Sequence, residues 1–244
     1  MFILPIPRDF TSKKKPWVTF GLIIANTLLL IVTFIASLML SSATVYGRFG
    51  FVPAQPHLAT LFSSMFIHAG LFHLFGNMLF LFMFGVDVED AFGHWMFGLI
   101  YLLCGLGGNA LHWALNPASM VPCVGASGAI SGIAGAYFVL FPESKFDLMI
   151  FFWRFRIKTI PAHTHAAVGA WIVEQAVLGL VTQTIHLSSI AFWAHVGGFA
   201  AGVVAALIFK FATPAEIIDL KLQELPERSK QARGKRERSA RAGK

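Results

Sequence analysis

The stretch GASGAISGIAGAYFVLF, residues 125–141, carries no charge, spaces Gly128, Gly132 and Ala136 four residues apart, and sets Ser127 beside glycine at its start. Glycine inside a helix costs about 1 kcal/mol relative to alanine, so so many in one run need a reason. In lipid that reason is packing: burying apolar surface drives nothing there, and small residues at helical spacing let two backbones approach closely. The same spacing recurs in AHVGGFAAG, residues 194–202, through Gly198 and Gly202. The two segments read as membrane helices in contact.

The rest of the chain agrees. Of 244 residues, 56% are hydrophobic and 13% charged, and mean hydropathy is +0.68, which excludes a water-soluble globule and a disordered or fibrous chain. Residues 16–47, 49–86, 91–142, 159–173 and 175–209 hold no charge, whereas 214–244 hold 14 of the 31 charged residues. A span needs about 20 apolar residues. Six are expected, at 17–40, 70–86, 94–113, 125–141, 166–184 and 189–211. The tract 91–142 is too long for one span, and the turn signals between Gly105 and Pro122 divide it. Residues 41–64 are too broken by Gly and Pro for one helix, 87–93 reads as an acidic loop, and 142–160 reads as an interfacial loop. Lys13 to Lys15 before an apolar run imitate a secretory signal, but 24 residues exceed a signal core of about 7–15, so an uncleaved first span is expected.

With six spans both termini share a side, and 18 of the 19 Lys and Arg fall on it, Arg48 alone lying opposite. Basic residues collect in the cytoplasm, so both termini are expected there. The expected organisation is a cytoplasmic segment 1–16, an all-α six-helix membrane domain 17–211 and a disordered basic tail 212–244. The net charge of +7 concentrates in that tail, as a flank near anionic headgroups does, and nucleic acid is not an expected partner. Cys104 and Cys123 have no CxxC or CxxH neighbour and no HExxH occurs, so no disulfide framework, metal or cofactor is called for. A bacterial or archaeal cell membrane is the expected location.

Four residues could do chemistry. Ser127 stands where a turn enters the fourth span, next to backbone N–H groups that a helix start leaves unpaired, which suits a nucleophile beside an oxyanion site. His195 lies about two turns into the sixth span, where an ionisable group is costly, and could act as its general base; with no acid nearby in sequence, a dyad is expected. His73 and Asn77, on one face of the second span, could donate to an oxyanion, and His68 is a weaker candidate. Each also has a structural reading as an interhelical hydrogen bond or packing residue. Their convergence favours chemistry, because the second, fourth and sixth spans start on one side and all four residues fall early in them. Glu174, the one acid within a span, reads as structural, and His57, His94, His112, His163, His165 and His186 read as interfacial.

His68-(four residues)-His73-(three residues)-Asn77, Gly125-Ala126-Ser127-Gly128 and Ala194-His195-(two residues)-Gly198-(three residues)-Gly202 together resemble the rhomboid family of intramembrane serine proteases. Glu89 followed by Gly93 fits as well. The resemblance, over 17–211, implies that Ser127 attacks a peptide bond, that His195 is its base and then protonates the leaving amine, and that His73, Asn77 and the Ser127 N–H hold the oxyanion. It implies single-span membrane proteins as substrates, a segment after the first span lying partly in the outer leaflet, and a fifth span that helps to gate lateral access. Two departures stand out: the Trp-Arg pair of some members is absent, Ala59 and Thr60 taking its place, and Ser131 stands where some members carry an aromatic that stacks on the histidine. Two rivals are an inactive rhomboid-like binder, which would not need both Ser127 and His195, and a small transporter or channel using Glu174 and the span histidines, which would need a polar path through the whole bilayer.

Overall fold

In a computed structural model, residues 2–7, 15–152, 155–185 and 190–213 are described. The basic tail beyond 213, and His186, lie outside them. Six helices follow the six expected spans: α1 (Trp17–Leu40), α4 (Leu71–Phe92), α5 (His94–Leu115), α6 (Ser127–Leu140), α7 (Thr164–Ile185) and α8 (Phe192–Ala212), with the short α2 (Ser42–Phe49) and α3 (Leu58–Ser63) between the first two. Among the described residues, five of them are long and apolar enough to cross a membrane.

The exception is α6, whose 14 residues span about 21 Å against a hydrocarbon layer of about 30 Å. It starts late because Pro122 and Gly125, the latter at φ +125°, hold the preceding chain out of a helix. It is also the most enclosed, with Ile133, Ala136 and Tyr137 almost wholly buried. A Cβ on Gly108 of α5 would lie 3.4 Å from Gly128 Cα, and α5 continues seven residues past Gly108. The start of α6 is therefore recessed about 10 Å below the end of α5.

The packing of α6 against α8 is backbone against backbone. A Cβ on Gly198 would stand 1.9 Å from Gly128 O, and one on Gly202 1.8 Å from Gly132 O, distances no side chain survives. On its other flank, Gly132 meets Cys104 of α5, where an added Cβ would come within 2.2 Å of the cysteine Cβ.

Two expectations are corrected. The acidic loop at 87–93 is helical: α4 runs on to Phe92, and Glu89, 1% exposed, accepts from Val18 N (2.9 Å), Thr19 N (2.7 Å) and Thr19 Oγ1 (2.6 Å) at the start of α1. A carboxylate satisfies the orphan N–H groups of a helix start and its positive dipole end, and this lets charge stay buried. Gly93, at φ +84°, then turns the chain straight into α5. The stretch expected to be an interfacial loop, 142–160, instead holds strand β2 (Lys145–Phe152) and most of β3 (Phe155–His163), and β1 (Phe2–Pro7), within the N-terminal segment 1–16, pairs with β2, making an antiparallel sheet in the order β1-β2-β3. Phe146 seats this sheet on Phe84 and Tyr137.

The broken stretch 41–64 is anchored without a Trp-Arg pair. Thr60 only closes its own turn on His57 O; the tethers are Asn109 Nδ2 donating to Leu61 O (2.9 Å) and Ser64 Oγ (3.1 Å), Gly125 N to Ser64 O (2.9 Å), and a bridge between Phe51 and Cys123.

Gly202→Ala must push α6 from α8 and is expected to destabilise the protein by about 1–3 kcal/mol. Gly21→Ala, with nothing within 4 Å of the new methyl, leaves stability unchanged or slightly raised. Thermal unfolding in detergent compares the two.

Candidate active site

Helices α6 and α8 start at the same end of the bundle, and their glycine contact brings Ser127, next to Gly128, level with His195, one turn before Gly198. His195 Nε2 lies 2.8 Å from Ser127 Oγ. The first backbone bond of α6 runs from Ile130 N to Ala126 O, so the N–H groups of Ser127, Gly128 and Ala129 have no acceptor within the helix.

From α4, His73 and Asn77 line the same cavity as Ser127 and His195. Ala69 N donates to His73 Nδ1 (3.4 Å), which leaves the proton of a neutral imidazole on Nε2, the atom that turns toward Gly125. A Cβ on Gly125 would come within 2.9 Å of that nitrogen, so only glycine permits the approach. Asn77 Nδ2 donates to His73 O at 2.8 Å and keeps a second hydrogen for the cavity. His68 stands behind this row rather than in it: it is 1% exposed, its ring meets that of His73 edge-on, and its Nε2 accepts from Ala126 N at 3.4 Å. Burial, with the neighbouring His73 adding to it, lowers the His68 pKa to about 4.

The cavity, about 1640 Å³, is bounded by Phe72, Gly76 and Phe80 of α4 on one side and by Ala166, Ala170 and Trp171 of α7 on the other. Glu174, near the middle of α7, is exposed and lines it. Two residues that sequence reasoning passed over also reach the site. Gln175 Oε1 lies 2.7 Å from His195 Nδ1, and the Trp171 ring lies 6.1 Å from the His195 ring at 31°. Ser131, at the position where some members of the resembled family carry an aromatic, donates to Ser127 O at 2.6 Å. The sequence signal for Gln175 is a polar amide inside an apolar span, next to the charged Glu174.

Residues 55–211 match the family model of the rhomboid domain, and the chain belongs to the rhomboid family. It is 34% identical over 149 residues to RHOMBOID-like protein 1 of Arabidopsis thaliana, covering 61% of this chain and 34% of the relative. It is 32% identical over 170 residues to the chloroplastic Rhomboid-like protein 11 of the same plant, covering 65% and 55%. With the mitochondrial Rhomboid protein 1 of Saccharomyces cerevisiae it shares 28% over 151 residues, 59% of this chain and 40% of the relative. The matches thus span a third to just over half of these relatives' lengths. All three are eukaryotic and two carry organelle names, which lends no support to a bacterial or archaeal membrane. The chain is an integral, multi-pass membrane protein.

The lowered pKa keeps His68 neutral in the folded protein while an unfolded chain takes up a proton below about pH 6.5. More protons on the unfolded state mean that stability falls as pH drops from about 6.5 to 4. His68→Gln, which keeps an acceptor for Ala126 N, is expected to flatten that fall in thermal unfolding measured across this range.

Proposed function

We propose that the chain is an intramembrane serine endopeptidase working through the Ser127/His195 dyad. The observation that carries this reading is the 2.8 Å contact of His195 Nε2 with Ser127 Oγ at the floor of a cavity lined by two hydrogen-bond donors, His73 and Asn77. His195 takes the hydroxyl proton as Ser127 attacks a peptide carbonyl, then returns it to the leaving amine; water repeats the sequence on the acyl-enzyme. The developing oxyanion is held by His73 Nε2–H, the Asn77 amide and the Ser127 N–H, three donors fixed before the substrate arrives.

The substrates are single-span membrane proteins. Their helices approach from lipid between α4 and α7, where the cavity walls carry small residues such as Gly76, Ala166 and Ala170. The end at which α4, α6 and α8 begin faces outward, with both termini, the 1–16 segment and the basic tail from 212 cytoplasmic, in keeping with the distribution of Lys and Arg. The recess of α6 sets the cut below the outer surface, and the cavity above it admits water.

The test is fluorophosphonate labelling of purified protein, together with cleavage of a single-span reporter in proteoliposomes. Wild type is expected to label and cut; Ser127→Ala and His195→Ala are expected to lose both; Asn77→Ala is expected to lower kcat about 100-fold. A folded wild type that neither labels nor cuts would leave the inactive membrane-protein binder as the reading.

A further inference from the structure

Gln175 is 7% exposed near the middle of α7, a place where an unsatisfied amide is expensive, and the partner of its Oε1 is His195 Nδ1 at 2.7 Å. An amide oxygen only accepts, so Nδ1 carries the imidazole proton and Nε2 is left as the acceptor that faces Ser127 Oγ. Trp171 lies four residues earlier on α7, hence on the same face of the helix. Its ring runs within 31° of the imidazole plane at 6.1 Å. Within α6 nothing serves this purpose, because Ser131 is spent on its own backbone. One turn beyond Gln175, Gly179 lets α7 lie against the Trp193 ring of α8, an added Cβ being 3.0 Å from it. Close approach of α7 to α8 is what brings Gln175 within reach of His195.

We propose that α7 positions the base: Gln175 fixes the tautomer of His195 and Trp171 fixes the plane of its ring, so that the serine is activated only while α7 is seated against α8. The inference rests on the protease reading of Ser127 and His195. Proton bookkeeping is simple: the serine proton moves from Oγ to Nε2 and on to the leaving nitrogen, while the Nδ1 proton stays on His195 throughout, shared with Gln175 Oε1. Gln175 therefore stabilises the imidazolium by an amide dipole, more weakly than a carboxylate in the same place would. Because α7 is also one wall of the cavity, a substrate helix that wedged it outward would part Gln175 from His195. Chemistry then waits for α7 to settle back.

The experiment measures kcat and KM for cleavage of a single-span reporter in proteoliposomes across pH, for wild type, Gln175→Met, Gln175→Glu and Trp171→Ala. Gln175→Met keeps the length and removes the acceptor. It is expected to lower kcat about 10- to 100-fold with KM little changed, and to move the acid limb of kcat/KM to lower pH, since the protonated base loses a partner. Gln175→Glu restores an acceptor and adds charge; it is expected to recover most of kcat and to move the acid limb to higher pH. Trp171→Ala lowers kcat without moving the limb. The titratable groups around His195, His73 on α4 and His112 on α5, and Glu174 on the cavity wall, are the same in every variant. Opposite shifts thus trace to position 175. If wild type cuts and both Gln175 variants keep its kcat and its acid limb, the contact is packing only and the inference fails. Should Gln175→Met not fold, the limb of Gln175→Glu decides alone. A wild type that does not cut would overturn the protease reading instead, with its loss of fluorophosphonate labelling as the distinguishing sign.

Discussion

Everything in this molecule hangs on the contact of α6 with α8, where glycine meets carbonyl oxygen at Gly198 with Gly128 and at Gly202 with Gly132. Lipid tails are as apolar as leucine, so in a membrane two helices gain little by hiding apolar side chains from their surroundings. What they gain is dispersion over a close fit, and only residues without a side chain let the backbones come near enough. These helices are parallel and start at one end, so the same contact that holds them aligns Ser127 with His195. Packing and site are one feature.

Around that pair the fold spends its polar groups economically. Glu89 is buried without isolation because the start of α1 supplies three donors to it. Asn109, deep in α5, holds the segment between α1 and α4 by its carbonyl and hydroxyl groups and so keeps Ser64 under Gly125 at the lip of the serine turn. By contrast, α7 exposes Val173, Val177 and Leu180 on its outer face and leans on α8 through Gly179. Under the proposed reading, a close-packed centre beside a less enclosed wall suits a reaction that must keep its reacting atoms fixed while admitting a helix from the side.

The spans were legible because their signal is summed over some 20 residues and survives errors at any one of them. Turn chemistry was legible too: the division of 91–142 into α5 and α6 follows from the Gly and Pro between them. The strands were not. Residues 155–158 alternate apolar with polar in the manner of a strand, but four basic residues among aromatics in 142–160 gave an equally good reading as an interfacial loop, and the partner β1 lies some 140 residues away in sequence. The helical course of 87–92 was hidden for a similar reason: Asp87, Glu89 and Asp90 spell solvent until the donors at the start of α1 are brought to Glu89.

Composition and spacing by themselves settled that the chain lives in a membrane, how many apolar segments it has, and which small residues had to meet, because each of those follows from transfer free energy and helical period alone. They also picked out Ser127 and His195 as residues too costly or too exposed to be ordinary. What only the tertiary structure decided is which group stands at the second nitrogen of His195. Gln175 and Trp171 are neutral, carry no motif and lie 20 and 24 residues away from it in sequence, so nothing local marks them. Their part is set by the tilt of one helix against another, a distance of a few ångströms that no pattern along the chain encodes.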